Sequence, residues 1–148
     1  MNDIYLEILH DIRREPQKFL RTVSFDETAA LLTGIDHVSR GKFLEGFQEW
    51  ITIQSKGKFS NFFWGVSSLY ITFPDFQGES RQTPPPDEDR ERNGLLDQVE
   101  QFRRDRKAEG INSLREMCQA VTNTWAEEHK DEIFAGCVWR EKPTDDEL

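Results

Sequence analysis

Residues 43–74 hold about half of the chain's aromatic side chains, including two of its four tryptophans, in little over a fifth of its length. Buried aromatic side chains dominate the energetics of protein cores, so we expect the densest part of the core in this segment. The chain of 148 residues is the size of one ordinary domain. We therefore predict a single domain, residues 1–148, with an aromatic core beneath a strongly charged surface.

Apolar side chains recur at helical spacing along most of the chain. Two regular stripes are Phe43, Phe47, Trp50 and Ile51, and Leu114, Cys118, Val121 and Trp125. A capping box, Ser24 with Glu27, marks the start of another helix. These patterns predict an all-α bundle of about six or seven helices. The β-branched residues at 50–54 and 69–73 leave one alternative, which is a short hairpin formed by two strands.

Residues 75–93 are rich in proline, glycine and charge, and such a composition does not bury enough apolar surface to fold. We predict an exposed, acidic, Pro-rich loop there, between two helical halves. The last eight residues, 141–148, are predicted to form a disordered acidic tail. Both cysteines, Cys118 and Cys137, lie in apolar contexts and are expected to pack as small hydrophobic residues.

The formal net charge of −9 is concentrated in three short segments. Residues 75–93, 127–132 and 141–148 each carry a net −3, and the rest of the chain is balanced. This distribution argues against binding to a nucleic-acid backbone, which requires a net basic face. The basic run at 103–107 is interspersed with acids at helical spacing, which is typical of a solvated helix face.

Concentrated acidic surfaces suit a basic partner through electrostatic steering, although they also serve solubility alone. The first two acidic segments therefore supply the candidate partner-binding residues, which are Asp87, Glu88, Asp89, Glu127, Glu128, Asp131 and Glu132.

No catalytic or metal-binding motif is present in the sequence. The three histidines, His10, His37 and His129, are scattered, and none has a second ligand or base at motif spacing. We therefore predict no catalytic residues, no metal site, no cofactor and no enzymatic activity. The N-terminus has no apolar signal-peptide core, and no apolar run approaches the length of a membrane span. We expect a cytoplasmic protein that contacts neither membranes nor nucleic acids directly.

Residues 43–75 resemble a known family. The sequence Gly46-Phe47-Gln48-Glu49-Trp50 is followed by Ser60-Asn61-Phe62-Phe63-Trp64 and by Phe73-Pro74. This order is similar to that of small immunity proteins from bacterial polymorphic-toxin and contact-dependent growth inhibition systems. In those proteins a G-F-x-E-W-like helix precedes an N-x-x-W-like helix that ends in F-P. Ser60 stands where a second asparagine is expected, and the density of phenylalanine is unusual.

The resemblance implies a cytoplasmic protein that binds one cognate toxin domain and blocks it. Many such toxins are basic nucleases, and their inhibitors are often acidic. The motif residues themselves are interpreted as scaffold, with Glu49 and Asn61 serving as caps or as partners of buried polar groups. The alternative is a helical adaptor or regulatory protein that binds a partner other than a toxin.

Overall fold

A computed structural model describes residues 3–58, 63–73 and 88–131. A 3₁₀ turn, Pro16–Lys18, separates the first two α-helices. In chain order the helices are α1 Ile4–Arg14, α2 Phe25–Val38, α3 Phe47–Gln54, α4 Trp64–Thr72, α5 Glu88–Glu109 and α6 Ile111–Glu128. The described ranges contain six α-helices and no strand, which confirms the predicted all-α fold. Within these ranges, no helix combines the length and the apolar character that a membrane crossing requires.

The alternative of a short hairpin is wrong. Residues 50–54 belong to α3, and residues 69–72 belong to α4. Burial overrides the β-propensity of these residues. Ile51 is fully buried on the core side of α3, and the hydroxyl of Thr52 donates to the carbonyl of Gln48 at 2.9 Å, which satisfies it within the helix.

The predicted start of α2 is confirmed, with one difference in its hydrogen bonds. The Ser24 hydroxyl accepts the Glu27 amide at 3.2 Å, as a capping box requires. The Glu27 carboxylate accepts the amide of Thr22 at 2.8 Å and not that of Ser24. The reason is that the Ser24 amide already donates to the carbonyl of Thr22, at 2.8 Å. Both the amide and the carbonyl of Thr22, in the bend before α2, are therefore hydrogen-bonded.

Helix α5 lies at the centre of the bundle. It packs against α1, α2 and α4, and it also contacts α3 and α6. At 22 residues it is about 33 Å long, enough to span a small domain. Its core-facing side chains are fully buried: Leu95, Leu96, Val99 and Phe102.

Helix α5 begins earlier than predicted. The exposed loop expected over 75–93 is wrong for residues 88–93, which are helical, while residues 75–87 lie outside the described part. Glu91 is only 3% exposed, and the Arg92 guanidinium donates to the Val23 carbonyl at 3.3 Å. These tertiary contacts hold two charge-rich turns in the helix before its first apolar core residue, Leu95. The predicted tail at 141–148 also lies outside the described residues.

The dense aromatic core predicted for residues 43–74 is confirmed where the structure describes them. The Phe47 ring lies 5.2 Å from Phe102, 5.5 Å from Trp64 and 5.9 Å from Trp50, measured between ring centroids. The Trp50 indole Nε1 donates to Asp105 Oδ2 at 2.8 Å, which gives the only polar atom of that ring a partner. These contacts join α3, α4 and α5.

The basic run at 103–107 is not simply a solvated helix face. Arg104 does pair with Glu100 at 2.8 Å as i,i+4 spacing predicts. Arg103, however, makes two bonds to one carboxylate oxygen of Asp3, at 2.7 and 2.9 Å. Arg106 donates to the carbonyls of Lys42 and Glu45. Two of the basic residues therefore bind other parts of the fold, and sequence spacing could not show which ones.

Helix α6 lies along α3 and runs in the same direction. A Cβ on Gly46, just before α3, would lie 2.2 Å from the Ile111 side chain at the start of α6. A Cβ on Gly57, just after α3, would lie 2.8 Å from Trp125 Cβ near the end of α6. Leu114 is the buried residue of the predicted α6 stripe, and Cys118, like Trp125, is only half-buried.

Candidate functional site

Two of the predicted contact residues at 87–89, Glu88 and Asp89, lie at the start of α5. Glu88 is the first residue of the helix, and Asp87 lies outside the described part. The Asp89 side chain is 78% exposed and accepts a bond from Arg92 at 3.2 Å. Carboxylates in the first turn of a helix are favoured by its dipole. The position of Asp89 is therefore explained by helix stability alone.

The acidic residues at 127–131 lie at the opposite kind of helix end. Glu127 and Glu128 form the last residues of α6, and Asp131 follows them, while Glu132 lies outside the described part. All three described carboxylates are exposed, and the last turn of α6 contains no basic residue. Negative charge at a helix C-terminus is unfavourable by about 0.3–1 kcal/mol per group. We call Glu127, Glu128 and Asp131 the acidic end of α6.

One basic side chain relieves this repulsion in part. Lys130 Nζ lies 2.8 Å from Glu127 Oε1, and both side chains are more than half exposed. Exposed pairs of this kind contribute little, about 0–1 kcal/mol. The acidic end of α6 thus keeps a net negative charge that is exposed to water. This charge does not stabilise the helix end on which it lies.

An aromatic pair adjoins the acidic end of α6. The rings of Trp125 and His129 are stacked, with centroids 4.4 Å apart and planes inclined by 15°. The His129 Nδ1–H donates to the carbonyl of Trp125 at 2.8 Å, which holds the imidazole over the indole. Both residues are half-buried. Aromatic side chains surrounded by charge are common anchors in protein interfaces.

A shallow groove of about 300 Å³ lies beside this pair. We call it the α6 groove, and its walls are Lys56, Ala120, Val121, Thr124, Trp125 and Glu128. Its volume is at the lower limit of small-molecule sites. The groove therefore suits side chains of a polypeptide better than a large ligand.

The described members of the two predicted groups lie in different surroundings. The start of α5 lies near Val23 and Thr72, whereas the end of α6 lies near Lys56 and Gly57. The surroundings described for the two groups share no residue. A small interface centred on one group of acids would therefore not be expected to include the other group.

Several other acids serve the fold and are less available to a partner. Glu45 accepts a bond from Arg115 at 3.2 Å, which fastens α6 to the turn before α3. Glu100 is held by Arg104 and Arg13 and lies near His10. The Arg104 hydrogen bond, with the charges of the three basic groups, lowers the pKa of Glu100 although partial burial opposes the shift.

The residues that carry the family resemblance are scaffold where they are described. Gly46 has φ 91° and precedes α3, in a conformation that favours glycine. Glu49 was predicted to cap a helix or to bind a buried polar group. In the described part its carboxylate instead faces Arg115 Nε at 4.0 Å, on the surface of α6. Asn61 lies outside the described residues.

In the described part, none of the histidines belongs to a set of three converging metal ligands. His10 faces Glu100 at 3.8 Å, His37 is exposed in the last turn of α2, and His129 stacks on Trp125. Among the described residues, no three His, Cys, Asp or Glu side chains converge as metal ligands. The absence of a catalytic or metal role stays a prediction.

Trp125, like Cys118 and Val121 of the same stripe, is less buried than the sequence predicted. Its helical spacing from Leu114, Cys118 and Val121 indicated a core position, but the side chain is half-buried at the edge of the groove. No signal in the sequence separates Trp125 from the buried Leu114, because both belong to the same helical stripe.

Comparison with known proteins gives no match, whether with protein-family models, with curated proteins or with solved structures.

Proposed function

We propose that the protein is an immunity protein, which binds a cognate bacterial toxin domain in a stoichiometric complex and neutralises it. The partner is a basic domain, such as a nuclease, and the complex forms in the cytoplasm. The resemblance of residues 43–75 to immunity proteins supports the class of function, and the acidic surface supports the charge of the partner. The proposal includes no catalytic step and no cofactor.

The observation that supports binding to a basic partner is the exposed acidic end of α6. Its charges interact unfavourably with the helix dipole, so helix stability does not explain them. A role in binding a basic partner would explain them. Carboxylates on an inhibitor can occupy the basic surface that a nuclease uses for phosphates, and they accelerate encounter with it. The Trp125–His129 pair supplies an anchor beside them. The acids at the start of α5, Glu88 and Asp89, remain the second predicted contact.

The test begins with recovery of the partner on the tagged protein from its native host and identification by mass spectrometry. Association kinetics are then compared for the wild type and a triple variant, Glu127→Lys, Glu128→Lys and Asp131→Lys. We expect the association rate constant at low salt to fall by about tenfold or more, with a flatter salt dependence.

A matched control changes three other exposed acids to lysine, namely Glu7, Glu109 and Glu116. This variant alters the net charge equally, so it should lose much less of the association rate. Equal losses in both variants would assign the effect to net charge and remove the end of α6 from the interface.

The second candidate function is a helical adaptor that binds a non-toxin partner through the same acidic surface. Exposed carboxylates beside an aromatic anchor suit any basic protein, so the surface alone favours neither candidate. Gene context separates the two. A large upstream gene that ends in a toxin-like domain would favour immunity, and an unrelated operon would favour the adaptor.

A further inference from the structure

An asparagine–glycine pair, Asn93 and Gly94, lies inside helix α5. Asn93 is the only asparagine of the chain that a glycine follows. Because glycine has no side chain, its amide nitrogen approaches the preceding asparagine without hindrance, and such pairs are the ones most prone to lose ammonia. Both residue types are also poor helix formers. Their position within a 22-residue helix therefore requires an explanation.

The packing of α4 on α5 explains the glycine. A Cβ on Gly94 would lie 2.5 Å from Thr72 Oγ1. The Thr72 hydroxyl is fixed in place, because it donates to the carbonyl of Ser68 at 2.9 Å and accepts Gln98 Nε2 at 3.0 Å. A larger residue at position 94 would therefore push the two helices apart. The close approach of α4 thus keeps a chemically labile pair in the chain.

The reaction of such a pair needs only water. The Gly94 backbone nitrogen loses its proton and attacks Asn93 Cγ. A bond forms between these two atoms, and the bond from Cγ to Nδ2 breaks as ammonia leaves with the proton. Water then opens the cyclic imide at either carbonyl, which leaves aspartate or isoaspartate at position 93. Both residues line an open groove of about 570 Å³, so water reaches them.

The helix prevents this attack while it is closed. In an α-helix the amide of residue 94 donates to the carbonyl four residues earlier, so the nitrogen is not free to reach the side chain of Asn93. The reaction therefore requires the first turns of α5 to open. Two contacts oppose that opening: Glu91 is only 3% exposed, and Arg92 donates to the carbonyl of Val23 at 3.3 Å.

We propose that Asn93 is a self-modification site, at which a transient opening of the first turns of α5 becomes permanent. Aspartate at position 93 lies four residues from both Asp89 and Asp97, and like charges at this spacing destabilise a helix. Isoaspartate adds a methylene group to the main chain, which interrupts the regular hydrogen bonds of the helix. The inference does not rest on the proposed function.

The first measurement is the deamidation rate of Asn93 in the full chain. The protein is incubated at neutral pH in native buffer and in guanidinium chloride, and peptide mapping by mass spectrometry follows the conversion at position 93. We expect the native rate to be at least about tenfold below the unfolded rate, because only the opened helix reacts.

Two arginine variants then locate the opening. Arg92→Ala removes the bond to Val23 and should raise the native rate by about fivefold or more. Arg104→Ala removes an exposed arginine from the same helix, away from its start, and should change the rate by less than about twofold. Circular dichroism verifies that both variants are folded.

The wild type decides the matter if Arg92→Ala does not fold. Its deamidation rate is measured at guanidinium chloride concentrations below the unfolding transition. Local opening exposes less surface than global unfolding, so the rate should rise with a shallower dependence on denaturant than the unfolding equilibrium does.

The modified protein tests whether the opening is permanent. Trypsin cleaves after arginine, and Arg90 and Arg92 both lie in the first turns of α5. The isoaspartate form, separated by chromatography, should be cleaved there at least about tenfold faster than the unmodified protein. Equal cleavage of the two forms would overturn the proposal.

Three further results would also overturn it. The first is an equal deamidation rate in native buffer and in the unfolded chain, or no reaction at position 93 in either. The second is a folded Arg92→Ala that reacts no faster than Arg104→Ala. The third is a denaturant dependence equal to that of global unfolding, because the opening is then not confined to the start of α5.

Discussion

Arg103 ties the start of α1 to the turn before α3. Its guanidinium binds Asp3 with two hydrogen bonds, donates to the carbonyls of Lys42 and Phe43, and lies 4.7 Å from the centre of the Tyr5 ring. Only 12% of the Arg103 side chain and 14% of the Asp3 side chain are exposed. Removing one partner of a pair this buried destabilises a protein far more than breaking an exposed pair does.

We predict that Arg103→Ala lowers the free energy of unfolding by about 3 kcal/mol, because Asp3 and two carbonyls lose their donor. The adjacent residue provides the control. Arg104 is 56% exposed and pairs with Glu100 at i,i+4 spacing, so Arg104→Ala should cost only about 0.5 kcal/mol or less. Urea denaturation measures both values. Similar losses in the two variants would show that Arg103 is not a structural clamp.

Glu100 makes the stability depend on acid pH. Its pKa is lowered in the folded protein, so its carboxylate stabilises the fold above the unfolded pKa. That contribution is lost as the pH falls through the lower, folded pKa. We predict that Glu100→Gln is less stable than the wild type at neutral pH and that the difference shrinks on acidification. Melting temperatures between pH 7 and strongly acidic pH measure this difference.

Glu109→Gln, at an exposed position, is the control and should follow the wild type. A difference in melting temperature between Glu100→Gln and the wild type that stays constant with pH would contradict the prediction.

At the scale of elements, the close approach of α3 and α6 depends on Gly46. Its φ of 91° disfavours any side chain, and a Cβ there would collide with Ile111. We predict that Gly46→Ala lowers the free energy of unfolding by about 1–2 kcal/mol.

Gly34 is the matched control, because it lies inside α2 with nothing within 4 Å of its Cβ position. Gly34→Ala should raise the free energy of unfolding by about 0.5–1 kcal/mol. Opposite signs in thermal or urea unfolding are the expected result, and equal signs would contradict the packing of α3 on α6.

Helical spacing predicted the elements well where the apolar face decides the structure. Phe47, Trp50 and Ile51 were assigned to one helix face, and all three are buried in α3. The start of α5 was missed because Glu91 and Arg92 are held by contacts with residues distant in the sequence. Local composition reports the cost of ordering a charged segment, but not the tertiary bonds that offset it.

The candidate site was predicted in part. The sequence identified Glu127, Glu128 and Asp131, because a concentrated charge is visible in one dimension. It did not show that the rings of Trp125 and His129 stack beside these acids. The position of Trp125 depends on how α6 packs against the residues that follow α3, and the sequence does not show this packing. It also grouped the acids at 87–89 with those at 127–132, although the described members of the two groups lie in different surroundings.

At the scale of the whole molecule, the proposed contact surface lies apart from the aromatic core. The core joins α3, α4 and α5 through Phe47, Trp64 and Phe102, while basic side chains of α5 bind the turns around them. The acidic end of α6 takes no part in that core. Charge changes there should therefore alter binding without unfolding the protein, which makes the proposed function testable on folded variants.

The most direct test of that function is protection of growth. The partner domain recovered on the tagged protein is expressed in a bacterial host with the wild type or with the triple lysine variant at 127, 128 and 131. The account predicts that the wild type restores growth against this toxin only, and that the variant protects less although it is folded and equally abundant. Undiminished killing in the presence of the folded wild type, or equal protection against unrelated toxins, would contradict the account.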